Sequence, residues 1–174
     1  MFRTMRRSGQ ALSPDQIQSI LENGSSGVLA LSGDGGYPYA VPISYVFADR
    51  KLFFHCAVSG HKTDAIRRNP KASFCVVARD QVVPEEYTTR FRSVIVFGKI
   101  RILEDEREKF SAITTLAQKY APDDTEENRN REIAKYRQTL CMMEMTIEHV
   151  TGKESKALAE QRSAQNGNER KAES

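Results

Sequence analysis

The chain has 174 residues, 39% of them hydrophobic and 28% charged, with a formal net charge of +3. A chain of this size buries about 70% of its unfolded surface, so it can form one domain without metal or disulfide staples. Acidic and basic residues are interspersed, which argues against a nucleic-acid-binding stripe, and the pair Arg67-Arg68 reads as a solvated helix face. Cys56, Cys75 and Cys141 are odd in number, widely separated and set in apolar runs, as reduced, buried thiols are. The basic residues Arg3, Arg6 and Arg7 are followed by no apolar targeting core, and no run approaches a membrane span. A cytoplasmic protein with no membrane or nucleic-acid partner is expected.

Ser13-Pro14-Asp15-Gln16 combines a capping box with proline at the first helical position, and Ile17, Ile20 and Leu21 make one apolar stripe ending at Asn23-Gly24. Strands are predicted from Gly27 to Leu31 and from Tyr37 to Phe47, joined across the hairpin signal Gly33-Asp34-Gly35-Gly36. In the second, Tyr39, Val41, Ile43, Tyr45 and Phe47 share one face, and Pro38 and Pro42 the other. Two prolines in one strand mark either an aggregation-proof edge or an opening that exposes backbone to a ligand. Further strands are expected over Lys51 to Cys56, Lys71 to Ala78, Arg92 to Leu103 and Leu140 to Val150, with helices over His61 to Arg68, Asp105 to Tyr120 and Glu126 to Thr139. So many apolar strands with few helices call for a closed or nearly closed barrel, giving a mainly β (α+β) fold class. Ile95 and Phe97 leave half of one strand's outer face greasy, which points to a partner or ligand. From Ala159 to Ser174 alanine is the only apolar type, so this segment is expected to be mobile.

The segment Ser59-Gly60-His61-Lys62 follows an apolar strand and opens a polar helix that Pro70 ends. Free amides at a helix start attract anions and Lys62 adds a charge, so the corner reads either as a phosphate site or as a surface helix with a solvated lysine. His55, His61 and His149 have no metal-ligand spacing, and His55 and Cys56 point to opposite faces of their strand. No glycine-rich dinucleotide fingerprint is present.

The succession Gly35-Gly36-Tyr37-Pro38-Tyr39-Ala40-Val41-Pro42-Ile43-Ser44-Tyr45, Phe53-Phe54-His55-Cys56-Ala57, Gly60-His61-Lys62 and Arg92-Ser93-Val94-Ile95-Val96-Phe97-Gly98-Lys99 resembles the flavin-binding split barrels related to pyridoxamine 5'-phosphate oxidase, and within them the nitroimidazole-resistance, or 5-nitroimidazole reductase, branch. The match runs from about Met5 to Lys153. It implies a six-stranded split β-barrel over residues 1–152, a polar, mobile tail over 153–174, and a homodimer with FMN at the subunit interface. By the same resemblance, Pro42, Ile43 and Ser44 would follow the flavin ring edge, and His55, Cys56 and Ala57 the next cofactor-contacting strand. His61 and Lys62 would hold the phosphate, and Ser93 and Val94 would come from the other subunit. Histidine stands where the oxidases carry an arginine on the phosphate, which makes that contact pH-dependent.

The chain has no tryptophan and lacks the oxidases' arginine-rich substrate motif, so pyridoxamine phosphate is not the expected substrate. The resemblance implies instead an FMN-dependent reductase passing electrons from a transiently bound nicotinamide to a nitroaromatic or other small planar acceptor. Its catalytic side chains are unassigned; His55 and Tyr45 are candidates by position only. The alternatives are a non-catalytic flavin-, deazaflavin- or haem-binding or sensing protein, haem being held through His55, His61 or His149, and a dimeric interaction module without a cofactor.

Overall fold

The computed structural model describes residues 1–172, with side chains described through residue 165. Seven strands alternate with five α-helices: α1 (Pro14–Asn23), β1 (Ser26–Ser32), β2 (Pro38–Ser44), β3 (Val46–Ala48), β4 (Lys51–Ala57), α2 (His61–Arg68), β5 (Lys71–Val83), β6 (Thr88–Ile102), α3 (Glu106–Tyr120), α4 (Glu126–Tyr136), β7 (Leu140–Glu154) and α5 (Lys156–Ala172). Every strand pairing is antiparallel, in the order β2-β1-β5-β6-β7-β4-β3. The two edge strands, β2 and β3, are separated in the chain by Tyr45 alone. A sheet whose first and last strands lie one residue apart must curl until its edges meet, which makes it a split barrel.

The expected count of six strands is therefore corrected to seven, because the single strand expected from Tyr37 to Phe47 serves both edges and breaks at Tyr45. β2 pairs with β1, whereas β3 turns back on β4. At the break Tyr45 is 0% exposed and its ring stands edge-on to Phe74 at 4.8 Å. Its backbone N–H donates to the Tyr120 hydroxyl at 3.0 Å, and that hydroxyl faces the carbonyls of Tyr45 and Ser25. Tyr120 thus supplies at the corner the partner that the interrupted ladder withdraws.

Alternation puts Leu29, Leu31, Leu52, Phe54, Phe74, Val76, Val94, Val96, Met143 and Met145 into the barrel, all buried. Gly98 is fixed by its neighbour strand, since a Cβ there would lie 2.0 Å from the Thr146 carbonyl oxygen. α2 closes one end of the barrel with Thr63, Ala65 and Ile66 buried. α3 covers the outer face of β4 and β7, where Leu103, Ala112 and Met142 form a second cluster with Phe53, Ile113 and Leu140.

The expectation of a mobile tail is also corrected. β7 runs on to Glu154, and α5 begins at Lys156 with Leu158 and Ala159 buried. Arg162 donates to the Glu154 carboxylate at 2.8 Å and to the Ala11 carbonyl at 3.0 Å. Glu154, 0% exposed, also receives Arg92 at 2.8 Å, so two arginines neutralise it. An ion-pair clasp anchors a segment too poor in apolar residues to anchor itself. Residues 173 and 174 of the expected tail lie outside the described residues.

Candidate functional site at the exit of strand four

β4 ends at Ala57, the chain loops through Val58 and Ser59, and α2 starts after Gly60. Gly60 has φ +129°, a conformation that side-chain-bearing residues rarely adopt, and a Cβ there would meet nothing within 4 Å. The corner is therefore open. No side chain caps α2; Thr63 instead donates its hydroxyl to the Gly60 carbonyl at 2.8 Å. The amides of the first helical turn are left for water or an anion.

Lys62 is half-buried and forms no ion pair among the described residues. Its charge reaches back to β4: burial first, and then Lys62, lower the His55 imidazole below its ordinary value. His55 is consequently neutral at neutral pH, and one uncompensated cation faces the strand exit. His61 is turned elsewhere. Its ring stacks on Tyr39 at 4.0 Å, and its Nε2 lies 3.5 Å from the Asp34 carboxylate, which Arg68 also holds. His61 thus ties α2 to the turn between β1 and β2 and leaves Lys62 the free cation of the expected pair.

Pleating sorts the remaining expected residues. Pro42, Ser44, His55, Ala57 and Ser93 alternate with the inward-facing positions and lie on the outer face, where a planar ligand could rest. Ile43 and Cys56 pack against the barrel core, and Val94 is fully buried, so these three offer a ligand only their backbone. Ser93 does not join His55 within one protomer: their partners on β7, Lys153 and Met142, are separated by about 36 Å of extended strand. His149 lies apart from the corner, stacked on Phe2 at 4.6 Å with its Nε2 buried and unpartnered. Among the described residues no cluster of His, Cys, Asp and Glu could hold a metal ion, and no helix is long and apolar enough to cross a membrane.

Two features escaped the sequence reading because they exist only across strands. The register aligns Pro42, Val28, Cys75 and Ile95 in one lateral row on the outer face, with Val28 and Ile95 each 38% exposed. Val77, 60% exposed, extends it opposite Ser93. Phe97, the other residue expected on this greasy face, is instead partly covered by Phe2 at 5.5 Å. The second is a cavity of about 430 Å³ between α3 and α4, with Phe110, Ile113, Ile133 and Leu140 in its walls and Arg107 and Arg137 at its rim. Leu140 pairs with Ala57, so the cavity borders the strand exit.

The family model for pyridoxamine 5'-phosphate oxidase matches residues 13–154. The chain belongs to that family. Solved structures with the same fold include a candidate 5-nitroimidazole antibiotic resistance protein from Bacteroides thetaiotaomicron (20% identity, 82% of this chain and 85% of that one, TM-score 0.71). A conserved hypothetical protein from Mycobacterium tuberculosis (18%, 89% and 92%, 0.76) and an FAD-binding protein from Mesorhizobium loti (24%, 84% and 97%, 0.61) share it too. No curated protein matches the chain.

Proposed function

We propose that the protein binds FMN in a homodimer and acts as a flavin-dependent reductase. The observation that carries the reading is Lys62, a half-buried and unpaired cation beside uncapped amides at the strand exit. An FMN phosphate fits that corner, because it would supply the acceptors that these donors lack and the charge that Lys62 lacks. Pro42, Ser44, His55 and Ala57 present the outer face along which the flavin ring would be oriented, and Ile43 and Cys56 contribute backbone groups. Ser93, too distant in its own protomer, would reach the site from a second copy across the apolar row Val28, Cys75 and Ile95, with Val94 adding backbone beside it.

Bound FMN would supply the electron chemistry, taking a hydride equivalent from a nicotinamide and reducing a nitroaromatic or other small planar acceptor. The chain's part is to hold the phosphate, orient the ring and shield it from water. His55, neutral and beside Lys62, can accept a hydrogen bond at the ring edge. The similar fold of the candidate nitroimidazole-resistance protein supports this acceptor class, and the FAD-binding neighbour supports flavin as the cofactor class.

The test is to titrate the purified protein with FMN, then follow nicotinamide oxidation with and without a 5-nitroimidazole under anaerobic conditions. Saturable FMN binding with acceptor-dependent turnover is expected. Binding without turnover on any nitroaromatic would move the protein to the binding or sensing class, and failure to bind FMN would remove the proposal.

A further inference from the structure

Cys56 on β4 and Cys141 on β7 stand directly opposite each other in register. Opposed residues of an antiparallel pair share a face, and their Cα atoms lie about 4.5 or 5.5 Å apart; both spacings fall within the roughly 4.4–6.8 Å that a disulfide spans. Both side chains belong to the barrel core, and Met143 Sδ lies 3.8 Å from Cys56 Sγ. Cys141 is buried, whereas Cys56 is only half-buried and gives a small oxidant a way in. The third thiol, Cys75, sits on β5, separated from β4 by β6 and β7 on one side.

We infer that Cys56 and Cys141 form a redox-active dithiol, oxidised by hydrogen peroxide to a cross-strand disulfide and restored by a dithiol reductant. The surroundings favour the chemistry. The interaction between the two thiols, and then burial, raise Cys56; the same interaction, helped by Arg67 and Lys109 against burial, lowers Cys141 below its ordinary value. Either cysteine of the pair can attack as the thiolate, the other then resolving it.

In the first step the thiolate of one cysteine attacks a peroxide oxygen, the O–O bond breaks, and the departing hydroxide takes up the proton that this cysteine had released, leaving a sulfenic acid and one water. In the second, the sulfur of the other cysteine attacks the sulfenic sulfur and the S–O bond breaks. Hydroxide leaves with that cysteine's proton as a second water. Two thiols lose two electrons and one peroxide gains them. Nothing in this step depends on flavin.

The experiment treats the full-length protein with a small excess of hydrogen peroxide, then denatures it in an alkylating agent. Labelled thiols are expected to fall from three to one, peptide mapping to link the segments containing Cys56 and Cys141, and dithiothreitol to restore all three labels. Cys75→Ser should still form the bridge, and Cys141→Ser should not. The inference is overturned if all three thiols of the native protein stay labelled, if the bridge formed involves Cys75, or if Cys56 and Cys141 are oxidised further without joining.

Discussion

Replacing Lys62 by alanine removes one positive charge from the strand exit and leaves no carboxylate stranded, since the described residues give Lys62 no ion-pair partner. The fold should therefore survive the change, and what is lost can be assigned to the ligand. A hydrogen bond to a charged group contributes about 1.5–3 kcal/mol, so FMN affinity is expected to fall roughly 10- to 100-fold. The α2 amides and Gly60 remain, which is why binding should weaken and not vanish. Riboflavin has the same ring and no phosphate, and its affinity should change less than about threefold, within the scatter of a neutral contact. Flavin fluorescence quenching measures both ligands on wild type and variant. Equal losses for FMN and riboflavin would place Lys62 at the ring and not at the phosphate, and an unchanged FMN affinity would refute the assignment of the corner.

The same lysine lowers His55 by its charge, so Lys62→Ala should raise the His55 pKa toward 6.5 without reaching it, because burial is the larger cause; an NMR titration of the imidazole reads this directly. As the folded value is depressed, the stability from neutral His55 is full above the unfolded value of about 6.5 and is lost as pH falls through the folded value. Arg162→Ala leaves Glu154 with Arg92 alone and should cost about 1–3 kcal/mol, seen as a drop of several degrees in melting temperature. No measurable change would mean that α5 contributes nothing to the fold. Ile95→Lys puts a charge in the apolar row and should shift the protein toward monomer in sedimentation velocity while weakening FMN uptake. A wild-type protein that is monomeric at all concentrations and holds FMN tightly would refute the composite site.

Much of the architecture was legible because short-range chemistry dictates it. Ser13 and Gln16 form the expected capping box, and α2 spans His61–Arg68 as its glycine and proline boundaries predict. The pattern of Tyr39, Val41 and Ile43 against Pro38 and Pro42 marked a strand edge, but could not show that one segment makes both edges; closure at Tyr45 depends on Tyr120, 75 positions away. The docking of α5 was hidden for a similar reason. Its anchor is a buried carboxylate between Arg92 and Arg162, and composition alone reads such residues as solvated. At the site, Lys62 could be singled out from its place after Gly60. The diversion of His61 to Tyr39 and Asp34 follows from tertiary contact, which the linear motif does not carry.

A flavin phosphate held at the β4–α2 corner would be read first from a visible absorption spectrum. The purified protein would be equilibrated with an equimolar mixture of FMN and haem, then freed of unbound ligand. A flavin spectrum at up to one FMN per chain is expected, displaced by excess FMN analogues that keep the phosphate. A haem spectrum, or a protein that emerges colourless, would contradict it.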